Sequence, residues 1–355
     1  MTKRARLNRA PGRRGRRVIT APAATPSAVV HGEQAWADAA DASRLGDGAQ
    51  AIARLAEAEA AFLVAGRADL AARALAQRGV LLAACDQYSD AVICLEKARA
   101  ELGDWPADKA EDRARYLMAY GESLAAIGDH GEAIRHLSDA MQMLAELGRD
   151  VLAAGAALEI ASSLMVLGKH DDAAVFCEAA QLGFTTGEEP VLAAYAMRMA
   201  ARAHEAEGRI HEAVVAHEVA HLNYREAGVH CGAASAAVDQ SRLLAEISHR
   251  EEDPEASRFA VERLEAILEL VDGVNAAHCQ HALGRAFTAV GALDHDRTAI
   301  EAAIPHLVAA LDTFISLGLA LEAADAADHL SVALRMLGRG DEALMHLGRA
   351  VGAAS

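Results

Sequence analysis

Aromatic side chains are scarce in this 355-residue sequence: six Phe, two Trp and five Tyr, 4% of the chain. Proline is held to seven positions, and no stretch of 18 consecutive apolar residues occurs. Strands draw on aromatic and β-branched residues, so the shortage argues against a β-rich fold. The missing apolar run argues against a membrane span, and no membrane partner is expected. The five cysteines (Cys85, Cys94, Cys177, Cys231 and Cys279) are odd in number, contain no C-x-x-C pair and lie in apolar helical patterns. That excludes a disulfide framework and fits reduced thiols in the cytoplasm. No P-loop, glycine-rich dinucleotide turn or G-x-S-x-G motif is present.

What the chain has instead is alanine. Alanine, small and of high helix propensity, is the largest single contributor to its 53% hydrophobic content. The formal charge of −17 is unevenly placed: residues 1–32 carry eight bases and no acid, leaving 26 bases against 51 acids in residues 33–355. An acidic body repels phosphate backbones, so nucleic acid is an unlikely partner except through the basic tail. Residues 1–32 have twin arginines but no signal-peptide core, since Pro22 and Pro26 interrupt the stretch that would form it. They are read as a disordered tail.

One unit recurs eight times. A helix with a small residue near its middle is followed by a tight turn and a second helix carrying Ala, a large residue four later and a small or apolar one three after that. From the turn at Gly128 these are Ala133, Leu137 and Ala140. Turns at Gly46, Asp86, Gly168, Gly208 and Gly338 repeat the spacing, and two further turns, assigned to Ser248 and Gly291, reach Ala260 and Ala303 after seven extra residues each. The leading alanines step by 40, 42, 40, 40, 47, 43 and 40 residues. Seven residues before each turn stands a small residue (Ala39, Gly79, Gly121, Ala161, Ala201, Ser241, Gly284, Ser331), as close helix crossings require. Gly66, Gly148, Gly187, Gly228, Gly273 and Gly318 recur between units, where helix ends call for left-handed residues. Trp105-Pro106 opens a longer link before the third unit, and Pro305 falls where a second helix should begin or kink.

These residues resemble the tetratricopeptide repeat (TPR) in a long version of about 40 residues. The unit is similar to repeats of the Leu-Gly-Asn adaptor, of MalT-like regulators and of Rap-type peptide receptors. The resemblance covers residues 33–355 and implies an all-α, right-handed superhelical solenoid of about eight hairpins. It also implies a role in protein or peptide binding, as adaptor or scaffold, or alternatively as a peptide-sensing regulator.

The sharpest chemical motif is His217-Glu218-Val219-Ala220-His221, a literal H-E-x-x-H, the spacing by which two imidazoles hold zinc while the glutamate activates water. Its phase is that of the repeat, because His217 takes the large-residue place and Ala220 the small one. Ala227 stands where a metzincin's third histidine would be. The motif is read as packing, with a zinc-dependent hydrolase as the minor alternative. His278-Cys279-x-His281 and His230-Cys231 have no recognised ligand spacing. No catalytic residue, cofactor or metal is assigned, and the chain is read as not an enzyme.

In this resemblance the first helix of each hairpin lines the concave groove, and positions thirteen, ten and six before the turn point inward. In the fifth to seventh units those columns hold Tyr195, Arg198 and Arg202; Ser235, Val238 and Arg242; and His278, His281 and Arg285. The stripe Arg202, Arg242, Arg285 points to an acidic peptide or C-terminal tail as ligand, because guanidinium reads carboxylate bidentately. Pairing of each arginine with Glu205, Asp239 or Glu246 is the competing expectation. At the other end, Leu344, Leu347 and Val351 mark a last helix with an uncovered apolar face, a possible homodimer contact. The Ala, Arg and Gly bias points to a GC-rich bacterial gene.

Overall fold

A computed structural model of the chain describes residues 26–102 and 109–353, which contain sixteen helices and no strand. The chain divides into two compact units, Met1–Asp104 and Trp105–Ser355. The first holds α1 (Pro26–Arg44), α2 (Gly48–Val64), α3 (Ala68–Ala84) and α4 (Tyr88–Leu102). The second opens with α5 (Ala110–Ala126), α6 (His130–Glu146), α7 (Asp150–Val166), α8 (His170–Thr186), α9 (Pro190–Ala206) and α10 (Ile210–Glu226). It continues with α11 (His230–Glu251), α12 (Glu255–Leu268), α13 (Gly273–Leu293), α14 (Arg297–Ser316), α15 (Ala320–Met336) and α16 (Gly340–Ala353). Within each unit every helix packs against the next, giving two hairpins in the first and six in the second. The architecture is an all-α solenoid.

Each hairpin is held by the spacing read from the sequence. The leading alanines of the second helices, Ala51 to Ala343, are all at most 1% exposed. The small residues of the first helices are buried opposite them. Where that residue is glycine (Gly79, Gly121, Gly284) it meets the large residue of the partner helix, Leu95, Leu137 or Leu307. Turns close as expected in six hairpins. Gly128, at φ 95°, donates its N–H to Ala125 O (3.0 Å), and Asp129 N–H reaches Leu124 O (2.9 Å), pairing carbonyls the helix end would leave open. The Asp129 carboxylate then accepts from Glu132 N–H and caps α6.

Two turns lie elsewhere than expected. α11 runs through Ser248 to Glu251, and the left-handed residue is Glu252 at φ 54°. α13 runs through Gly291 to Leu293, and His295 takes φ 54°. Four of the seven extra residues therefore precede the left-handed residue and three lie between it and the leading alanine; α11, α13 and α14 are longer than the 17-residue helices before them, while α12 has 14 residues. Ser248 instead ties the arms together, its buried hydroxyl accepting from Ser257 N–H at 2.9 Å. Gly187 is corrected likewise: Glu188 is left-handed at φ 58°, and Gly187 is small because a Cβ would meet Val151 Cγ2 at 2.2 Å.

α1 begins at Pro26, so residues 26–32, expected as disordered tail, form its first turns. Residues 1–25, with all eight tail bases, lie outside the described residues, as do Trp105 and Pro106. Pro305 neither starts nor ends a helix and sits inside α14. By length and composition α14 is apolar enough to cross a membrane, although the sequence shows no unbroken apolar run. Its Ile300, Ala303, Leu307, Ala310, Leu311 and Phe314 belong to the core shared with α15 and α16. On α16, Leu344 and Val351 are exposed while Leu347 packs partly against that core.

Candidate functional site

The arginine columns fall on first helices: Tyr195, Arg198 and Arg202 on α9, Arg242 on α11, and His278, His281 and Arg285 on α13. α11 and α13 also pack directly against each other. Between them lies a small pocket of about 80 Å³, lined by Val238, Asp239, Arg242, His278, His281, Ala282 and Arg285. Four of the seven expected residues are therefore brought together. Arg198 joins them indirectly, its Nη2 donating to Asp239 at 3.0 Å. Tyr195 is half exposed and does not line the pocket. Arg202 is exposed on the same helix, outside the pocket.

Acids already present take up part of the positive charge. Glu205 holds Arg242 through one carboxylate oxygen and His217 Nε2, at 3.2 Å, through the other. Asp239 is occupied by Arg198. Arg285 is different: among the described residues no hydrogen bond or ion pair satisfies its guanidinium, although the side chain is half-buried. Burial lowers its pKa from the ordinary arginine value, with Asp325 opposing the shift and Arg242 adding to it. A partly desolvated charge with no acid in direct contact is stabilised by an incoming anion.

The histidines form the pocket's other side. His278 packs on the buried Phe314 ring (5.0 Å between centroids), and His281 meets the same ring edge-on at 6.3 Å. Burial, reinforced by the His329, Arg285 and His278 charges and opposed by Asp325, pushes His281 down to about 4, so its imidazole is neutral at pH 7. His281 Nε2 lies 3.1 Å from His329 Nδ1 on α15. The sequence reading missed Asp325 and His329; their signal was an aspartate and a histidine four apart, on one face of α15.

The H-E-x-x-H motif is taken apart by its neighbours. His217 points toward α9 and Glu205, while His221 Nδ1 lies 2.9 Å from Ala233 O on α11. Burial alone would raise Glu218, but hydrogen bonds from Arg263 and Gln240 outweigh it and hold the carboxyl below its ordinary value. Each of the three side chains is thus engaged by a different group, and His217 is 2% exposed in the large-residue place of its hairpin. Cys279, beside His278, is buried with its thiol pushed up to about 12 by burial, far from the thiolate a metal would need.

No protein-family model and no curated protein sequence matches the chain. Among solved structures, it is similar to the C-terminal part of a TPR repeat-containing protein from Cytophaga hutchinsonii. The TM-score is 0.58 at 14% identity, covering 88% of this chain and 99% of that one. The fold is of TPR type. The apo form of RapI is also similar, with a TM-score of 0.52 at 11% identity over 90% of this chain and 99% of that one. In TPR terms, the pocket joins the first helices of the sixth and seventh hairpins, and His329 belongs to the first helix of the eighth.

Proposed function

We propose that the chain is a protein-interaction module that binds an acidic peptide segment or C-terminal tail through the first helices of its fifth to seventh hairpins, without catalysing a reaction on it. The observation that carries this reading is Arg285, a half-buried guanidinium that makes no direct ion pair or hydrogen bond among the described residues, with Asp325 acting on it only at longer range, lining a pocket beside Arg242. A ligand carboxylate would supply that counterion through a charge-assisted bond of about 1.5–3 kcal/mol. The contributions are unequal. Arg242 must share or release Glu205 to engage a ligand, and Arg202, on the open surface, acts through a screened field.

The reading is tested with a fluorescein-labelled Asp/Glu-rich peptide bearing a free C-terminal carboxylate, titrated by fluorescence polarisation. Arg285→Ala should weaken binding tenfold or more, Arg242→Ala less, and Arg202→Ala least. Arg285→Lys should restore only part of the loss, since an ammonium cannot form the bidentate fork. Unchanged affinity in a folded triple alanine variant would place recognition elsewhere on the molecule.

A further inference from the structure

Behind the pocket, on the side away from Arg242, three side chains converge from two hairpins. Among the described residues this is the one place where three potential metal ligands come within 4.8 Å of one another. His281 of α13 faces α15, where Asp325 and His329 stand one helical turn apart. The separations are 3.1 Å from His281 Nε2 to His329 Nδ1, 3.4 Å from His329 Nδ1 to Asp325 Oδ1, and 3.9 Å from His281 Nε2 to Asp325 Oδ2. A tetrahedral ion with ligand bonds of roughly 2.0–2.1 Å holds its ligand atoms about 3.3–3.4 Å apart. The His281–His329 and His329–Asp325 Oδ1 separations bracket that value, and with one oxygen taken from Asp325 the three ligand atoms lie within 4.8 Å of one another.

We propose that His281, Asp325 and His329 form a binding site for one divalent transition-metal ion of the zinc class, clamping the seventh hairpin to the eighth. Two imidazoles and a carboxylate are a donor set that zinc accepts, whereas magnesium and calcium prefer all-oxygen shells. His281 is 8% exposed and sits on Phe314, so its ring is fixed by packing before any ion arrives. Asp325 is on the open side, which leaves the fourth coordination position to water or to a ligand carboxylate.

Two features set the strength of the site. His329 Nδ1 lies 2.9 Å from the Asp325 carbonyl, so ligation requires its proton to move to Nε2 and gives up that local hydrogen bond. Arg285 also faces Asp325 and competes with the ion electrostatically. A micromolar site is therefore expected rather than a permanently loaded one. The site shares His281 with the pocket, but none of its three ligands is an arginine, so failure of the arginine variants to alter peptide binding would leave its donor set intact.

The test uses the untagged full chain, stripped with a chelator and titrated with zinc chloride by calorimetry, with cobalt(II) absorption as a second readout. The expected result is close to one equivalent bound at micromolar Kd, a tetrahedral cobalt band, and a zinc-dependent rise in melting temperature. His329→Gln, at a half-buried position, and Asp325→Asn, at an exposed one, should lower zinc affinity 100-fold and at least tenfold, respectively, and abolish the rise. Cys231→Ser removes an exposed thiol outside the cluster and should leave zinc stoichiometry and affinity unchanged. Equal zinc affinity in the parent and in His329→Gln, or no binding at 100-fold molar excess, would reduce the cluster to a hydrogen-bonded histidine pair.

Discussion

Gly121 of α5 and Leu137 of α6 approach so closely that a Cβ on the glycine would sit 2.5 Å from Leu137 Cγ. The obstructing atom is the branch point of a fully buried leucine, which has little room to turn aside. Gly121→Ala gains about 0.5–1 kcal/mol of helix propensity, but overpacking costs about 1–3, so the variant should be destabilised by about 1–2 kcal/mol. Gly131→Ala, in the first turn of α6 with nothing within 4 Å, should be neutral or stabilising. Adding Leu137→Ala to Gly121→Ala should cost less than the two separate losses together. Calorimetric melting of the parent and the four variants checks all three statements, and destabilisation by Gly131→Ala equal to that by Gly121→Ala would refute the close-approach account.

Arg285→Met should separate stability from binding. The thioether chain keeps the volume and removes a partly desolvated charge that has no direct ion pair, so the melting temperature should hold or rise, by up to about 1 kcal/mol in stability. Acidic-peptide affinity should fall as far as in Arg285→Ala. A clear loss of stability would show that the guanidinium has an intramolecular role.

Glu122 on α5 carries a carboxyl pushed up to about 7 by burial, with the Glu159 charge on α7 adding to the shift. Because its folded pKa exceeds the ordinary 4.5, the folded state binds the extra proton between those values, and stability is lost as the pH rises through that window. Glu122→Gln should therefore be close to neutral at pH 4.5 and stabilising by about 1–3 kcal/mol at pH 8. Melting curves at the two values decide it, and an equal shift at both would argue against titration of this carboxyl.

His217 titrates in the opposite sense. Burial lowers its pKa, against the opposing hydrogen bond to Glu205, so the unfolded chain binds the proton more readily. The contribution of the neutral ring is present above about pH 6.5 and declines as the pH falls below it. His217→Leu should fold, since the equivalent place holds leucine in six other hairpins, and should lose less stability than the parent between pH 6.5 and pH 5. Parallel melting-temperature profiles for the two proteins would count against a buried, titrating His217.

The hairpin register was legible because it is written in side-chain size at fixed spacing, and size is what a helix crossing selects. Ser248 and Gly291 show where such reading stops. Both stand at the usual turn position, yet nothing forces a left-handed conformation there, and the helix simply continues. Gly291 is small for another reason, as a Cβ would meet Ile300 Cγ1 at 2.4 Å. The inward columns survived this error because they follow the small residue rather than the turn, and Arg242, His278, His281 and Arg285 did converge. The approach of His329 to His281 was not legible. It depends on how far one hairpin rotates against the next, and no local pattern records that angle.

The lengthened hairpins put a condition on how such a chain can change in size. Split four and three on either side of the tip, the seven residues add roughly one helical turn to each side, one face ending about 40° past its starting phase and the other about 60° short of it, still toward its partner. Growth by three or ten residues shared between the arms would swing one apolar face away from its partner. Gene variants of this repeat should therefore gain or lose segments in blocks of seven codons at the hairpin tips, leaving every crossing below the tip untouched.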